Sequence, residues 1–134
     1  MKRLYGLLII IPIILLPGCN IDKLFGGEYY SSDDCIIENL ERYDATPGQF
    51  ARFVITVTNI SGSTLFNISC SVKLKIGDTI IDRGNVSFGS LDPGESAINE
   101  VWFSEISKHT DYEYYEITLY WQDDEGNYYE NEGG

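Results

Sequence analysis

Apolar and polar residues alternate with a period of two along much of the chain, which places successive side chains on opposite faces of a β-sheet. The clearest run spans residues 66–76. Phe66, Ile68, Cys70, Val72, Leu74 and Ile76 fall on one face, and Asn67, Ser69, Ser71, Lys73 and Lys75 on the other. Phe53, Ile55 and Val57 face inward from a preceding strand whose other side shows Val54, Thr56 and Thr58, and Asn59-Ile60-Ser61-Gly62-Ser63 supplies the turn between the two. Gly77-Asp78 turns residues 73–76 back onto 79–82, and 86–89 is predicted as a separate short strand. Asp92-Pro93-Gly94-Glu95 carries Pro and Gly at the two central turn positions. Residues 97–103 read as extended with two rival inward faces, Ile98 and Trp102 against Val101 and Phe103. Tyr115, Ile117, Leu119 and Trp121 then alternate with Glu116, Thr118 and Tyr120, and the acidic turn 123–127 leads to a last strand at Tyr128-Tyr129. With an early strand over 34–40, the pattern predicts seven to eight short strands and no helix. The expected fold is all-β, an antiparallel β-sandwich.

The N-terminus departs from this alternation. Met1-Lys2-Arg3 is basic, residues 4–16 are apolar, and Pro17-Gly18-Cys19 follows. These are the parts of a cleaved signal peptide. Thirteen apolar residues rise about 20 Å as a helix, short of the roughly 30 Å of a bilayer core, and Pro12 and Pro17 interrupt them. Leu16-Pro17-Gly18-Cys19 resembles the lipobox of prokaryotic lipoproteins, although Pro17 stands where such motifs mostly carry a small or β-branched residue. The resemblance implies lipidation at Cys19, and the two acyl chains of a diacylglyceryl thioether suffice for stable anchoring where one does not. The expected organisation is a lipoprotein signal peptide over 1–18, a lipid-anchored flexible tether over 19–32, and the β-sandwich over 33–134.

Within the sandwich, Val57-Thr58-Asn59-Ile60-Ser61-Gly62, the strand through Val72 and Leu74 with its Gly77-Asp78 turn, Leu91-Asp92-Pro93-Gly94-Glu95-Ser96 and a late Tyr-rich strand resemble the CARDB and FxLYD group of immunoglobulin-like domains. The resemblance covers roughly residues 50–132. It implies an immunoglobulin-like fold and an adhesion or interaction role at a prokaryotic surface, with no catalytic residue to carry over.

Length and charge narrow the functional classes. A chain of 134 residues has room for one domain. Its net charge is −12, and −14 once residues 1–18, with Lys2 and Arg3, are removed. Such a surface repels nucleic-acid phosphates, whose binding needs clustered Lys and Arg. Nucleic acid is therefore not among the expected partners.

Catalytic constellations are sparse. His109 is the only histidine and sits beside Lys108 and Thr110 in a polar connection, which leaves no material for a Ser-His-Asp relay or a multi-histidine metal site. Asp123-Asp124-Glu125-Gly126-Asn127 lacks the alternating ligands and terminal Glu of an EF-hand and reads as an acidic hairpin turn. No metal ligand and no cofactor is assigned. With Cys19 given to lipid, Cys35 and Cys70 form an even pair, either a disulfide in an oxidising compartment or two buried thiols. Three sequons begin at Asn59, Asn67 and Asn85, all placed near turns or outward, where Asn and Ser also serve simply as turn residues. Tyr112, Tyr114 and Tyr120 share the face opposite Ile117 and Leu119, and form the candidate contact surface.

The expectation is a non-enzymatic binding or adhesion module, lipid-anchored at the extracytoplasmic face of a cell membrane, at the cell surface or in the periplasm. Its partners would be the membrane through Cys19 and an envelope protein or surface polymer. The alternatives are a structural accessory or spacer subunit of an envelope complex and, in third place, a small hydrolase.

Overall fold

The computed structural model describes residues 29–132. The leader, Cys19 and the tether as far as residue 28 lie outside the described residues, as do Gly133 and Gly134. The chain divides into a unit ending at Tyr30 and a unit over Ser31–Gly134, which carries the strands from Cys35 onward.

Eight strands follow in order: β1 (Tyr30–Ser31), β2 (Cys35–Tyr43), β3 (Ala51–Asn59), β4 (Leu65–Ile76), β5 (Thr79–Leu91), β6 (Ser96–Phe103), β7 (Tyr114–Gln122) and β8 (Tyr128–Asn131). Among the described residues one 3-10 turn, His109–Asp111, lies between β6 and β7. One sheet has the order β2-β3-β6 and the other β1-β8-β7-β4-β5. The pairings of β2 with β3, β3 with β6, β4 with β5, β4 with β7 and β7 with β8 are antiparallel. The described residues form an all-β antiparallel sandwich, with β2, β3 and β6 in one layer and β4, β5, β7 and β8 in the other.

Alternation explains most of the core. Along β3, Ala51, Phe53, Ile55, Val57 and Asn59 are buried while the residues between them are half-buried. Along β4 and β7 the buried members are Leu65, Ile68, Cys70, Val72 and Leu74, and Ile117, Leu119 and Trp121. The Phe53 ring meets Phe103 edge-on at 5.0 Å, a favoured aromatic geometry. On β6 the choice between faces falls to Val101 and Phe103, which are buried, and leaves Ile98 and Trp102 in solvent.

The structure corrects several local expectations. Residues 86–89 are not a separate strand: β5 runs unbroken from Thr79 to Leu91. Phe66 is only half-buried and Leu65 takes the inward place, because the register with β5 and β7 shifts between Leu65 and Ser69, where Asn67 has φ 52. Asn tolerates that left-handed conformation better than most residues, and a bulge there reverses which side chain faces inward. Ile76 is 45% exposed at the hairpin end, beyond the reach of the opposite sheet.

The two sheets approach closely at one corner. Asn99 Nδ2 donates to Ser87 O at 2.8 Å, joining the β6 and β5 edges. At Gly84 an added Cβ would lie 2.3 Å from Val101 Cγ2, so only glycine fits there.

Candidate functional site

The tyrosine face predicted on β7 is only partly present. Tyr114 is exposed, its hydroxyl donates to Gly77 O at 2.6 Å, and Lys75 Nζ lies 5.7 Å from its ring centroid. Tyr120 is half-buried beside a shallow recess of about 570 Å³ that Lys73, Thr118 and Glu130 also line. Tyr112 does not join them. It is 6% exposed, its ring centroid lies 6.4 Å from that of Phe53, and its hydroxyl accepts from Arg42 Nη1 at 3.1 Å. Tyr112 precedes β7, in the connection that crosses from one sheet to the other, so its ring enters the space between layers and is core.

A second face is more continuous, and the sequence did not single it out. Tyr43, Arg52 and Trp102 are register partners across β2, β3 and β6, followed by Glu41, Val54 and Glu100, then Asn39, Thr56 and Ile98. Paired residues project on the same side, and this side is the outer face of the three-stranded sheet. Trp102 is 58% exposed, Ile98 68% and Tyr43 42%. The Arg52 guanidinium stacks 4.4 Å from the Tyr43 ring centroid and its Nε lies 3.7 Å from Glu100 Oε1. Glu100 Oε1 also accepts from Trp102 Nε1 at 2.8 Å, and Glu41 Oε1 accepts from the Tyr43 hydroxyl at 2.7 Å. That last hydrogen bond and the Glu41 charge raise the Tyr43 pKa, keeping the ring neutral. The rings are thus held by carboxylates at their edges, with Arg52 over Tyr43 and more than half of Trp102 open to solvent.

No family model matches this chain, and no curated protein matches it either.

The remaining candidate residues fall as follows. Asn59 is fully buried: Nδ2 donates to Ser63 O and Leu91 O at 2.8 and 2.9 Å, and Oδ1 accepts from Ser61 N and Ser61 Oγ at 2.9 and 2.7 Å. A glycan has no access to that amide, so the first sequon is a structural clamp. Asn67 and Asn85 are exposed, and Asn67 Nδ2 donates to Gln122 Oε1 at 2.6 Å.

Cys35 and Cys70 stand as two free, fully buried thiols, on β2 and β4 in opposite sheets. Burial, and then the charge of Asp34, pushes the Cys35 thiol up to about 11; burial, and then Cys35 itself, pushes Cys70 up to about 12. His109 is exposed, with Nδ1 3.1 Å from Asp44 Oδ1. The His109 backbone N–H, then its ring, hold the Asp44 carboxyl below its ordinary range. Among the described residues no group of three or more His, Cys, Asp or Glu side chains converges as metal ligands would. None of the described helices is long and apolar enough to cross a membrane.

Proposed function

We propose that this chain is a lipid-anchored extracytoplasmic protein whose sandwich is a non-enzymatic binding module for an envelope protein or surface polymer. The anchor half of the reading rests on the leader and on Cys19. The binding half rests on one observation above the others: Trp102, Ile98 and Tyr43 are exposed together on one sheet face. Trp, Tyr and Arg are the residue types that anchor protein interfaces, and Tyr43, Arg52 and Trp102 lie in one register row of this face. Tethering by lipid would raise the effective concentration of such a face near its partner.

The test has two arms in intact cells. Cys19→Ser is expected to move the protein out of the membrane fraction or to block its maturation, and unchanged detergent partitioning would remove the anchor. A photo-crosslinking residue in place of Trp102 is expected to give discrete adducts that the same residue in place of Asn85 does not. Absence of adducts from position 102 would remove the binding face.

A further inference from the structure

We propose that the outer face of the three-stranded sheet receives a basic, extended protein segment, with an Arg or Lys side chain seated on Trp102 and apolar side chains on Val54 and Ile98. This rests on the reading of the chain as a binding module and names the chemistry of its partner.

Charge complementarity carries the inference. The face bears Glu41 and Glu100 in register, and Glu38, whose carboxylate accepts from Thr58 Oγ1 on the same side, against one basic side chain, Arg52, and the whole chain stands at −12. The face already shows how it takes a cation. Arg52 lies over Tyr43, next to the Glu100 carboxylate, and cation–π attraction is strongest for Trp among the aromatic residues. Trp102 offers the same arrangement, and among the described residues no cation lies over its ring. Glu100 holds the indole N–H, its charge lies beside the ring, and more than half of the residue is open to solvent. A guanidinium or ammonium placed there would find a π face and a carboxylate together.

Dimensions point to an extended occupant. Trp102 and Ile98 lie four residues apart on one strand, roughly 13 Å at about 3.3 Å per residue, and Tyr43 lies two strands away, roughly 10 Å. That area suits a short peptide stretch and is small for a folded partner's whole interface. A second copy of this chain fits poorly, since two faces that each carry three carboxylates and one cation repel.

The test uses the full chain in detergent micelles and three eight-residue probes, Xaa-Ser-Leu-Ser twice over with Xaa as Arg, Gln or Glu (the Arg-Leu, Gln-Leu and Glu-Leu probes), so that Xaa and Leu share one face of an extended segment. Binding is read from the anisotropy of a dye on the probe, which serves variants with and without Trp102, and the emission of the buried Trp121 checks the fold in each. The Arg-Leu probe is expected to bind saturably, about tenfold or more weaker to Trp102→Ala and to Glu100→Gln. Binding should also weaken as salt is raised from about 0.05 to 0.5 M and the screening length shrinks to a few ångströms. Equal binding of Arg-Leu to parent and Trp102→Ala would overturn the proposal, because attraction to acidic surface in general would then suffice. Tighter binding of Gln-Leu, or concentration-dependent self-association lost in Trp102→Ala, would overturn the basic partner and leave the binding-module reading intact. The absence of binding by any probe, alongside adducts from position 102 in cells, would do the same.

Discussion

Asn59 shows how much one side chain can hold together. Beyond its four side-chain hydrogen bonds, its backbone N–H donates to Glu95 O at 3.0 Å and its carbonyl accepts from Gly94 N at 2.8 Å. It therefore ties the β3–β4 turn to the end of β5 and to the β5–β6 turn. Asn59→Ala leaves two carbonyls and one backbone N–H without these partners, and the expected loss is about 2 kcal/mol. Asn59→Asp keeps the shape and the acceptor but sets a buried carboxylate against Ser63 O and Leu91 O, for an expected loss of about 3 kcal/mol or more. Urea unfolding with an unchanged slope measures both; a loss below about 0.5 kcal/mol for Asp would mean the clamp carries no weight. The turn itself was legible, because Asn, Ser and Gly cluster there. The burial was not, because Leu91 lies far along the chain and nothing local announces that two turns will meet.

At the level of elements, the β7–β8 hairpin depends on one carboxylate. Asp123 Oδ1 accepts from Glu125 N at 2.9 Å and Asn127 N at 3.0 Å, and Oδ2 accepts from Asn127 Nδ2 and the Tyr129 hydroxyl, both at 2.9 Å. Hydrogen bonding, led by the Asn127 side chain, lowers its pKa to about 2. A carboxyl depressed in the folded state contributes stability above its unfolded value near 4, and that contribution is lost as pH falls through about 2. The Glu125 and Asn127 amide resonances are therefore expected to titrate with a midpoint near 2. The Trp121–Tyr129 stack, 6.0 Å between centroids and 7° from parallel, should loosen with them. A midpoint near 4, or no change in this step on Asp123→Asn, would contradict the assignment. The sequence marks 123–127 as a turn without marking which of three acids closes it, since that depends on where Tyr129 lands. β6 has a related limit. Apolar residues on both of its faces left the inward side open, and that ambiguity is itself the trace of the exposed Trp102 and Ile98, because a strand buried on one side needs only one apolar face.

For the whole molecule, period-two patterning sufficed for the sandwich because both layers are amphipathic. Which residues meet across the layers depends on register and crossing, as Tyr112 shows by turning inward. Cys35 and Cys70 are the pair for which this matters most. The sequence allowed either a disulfide or buried thiols, and the structure holds both as thiols in opposite layers. With their pKa values pushed up to about 11 and 12, about one molecule in a thousand or fewer carries a thiolate at pH 8, and thiolate is the species that attacks a disulfide. Oxidation by exchange with glutathione disulfide, which would release two reduced glutathiones per bond formed, is therefore expected to depend on folding. The folded, reduced protein should keep its mass for hours at pH 8, reacting at least about a hundredfold more slowly than an ordinary exposed thiol. Chain exposed to the same oxidant while unfolded, then refolded, should be two hydrogens lighter. Under the chain-entropy account, closing a loop of about 35 residues should stabilise that form by roughly 3 to 4 kcal/mol. In a compartment that oxidises chains as they fold, the bond would have to form before the two layers close over it. Rapid loss of two hydrogens from the folded protein would show that the layers open readily around these thiols, and a refolded oxidised form no more stable than the reduced one would show that the buried geometry resists the bond.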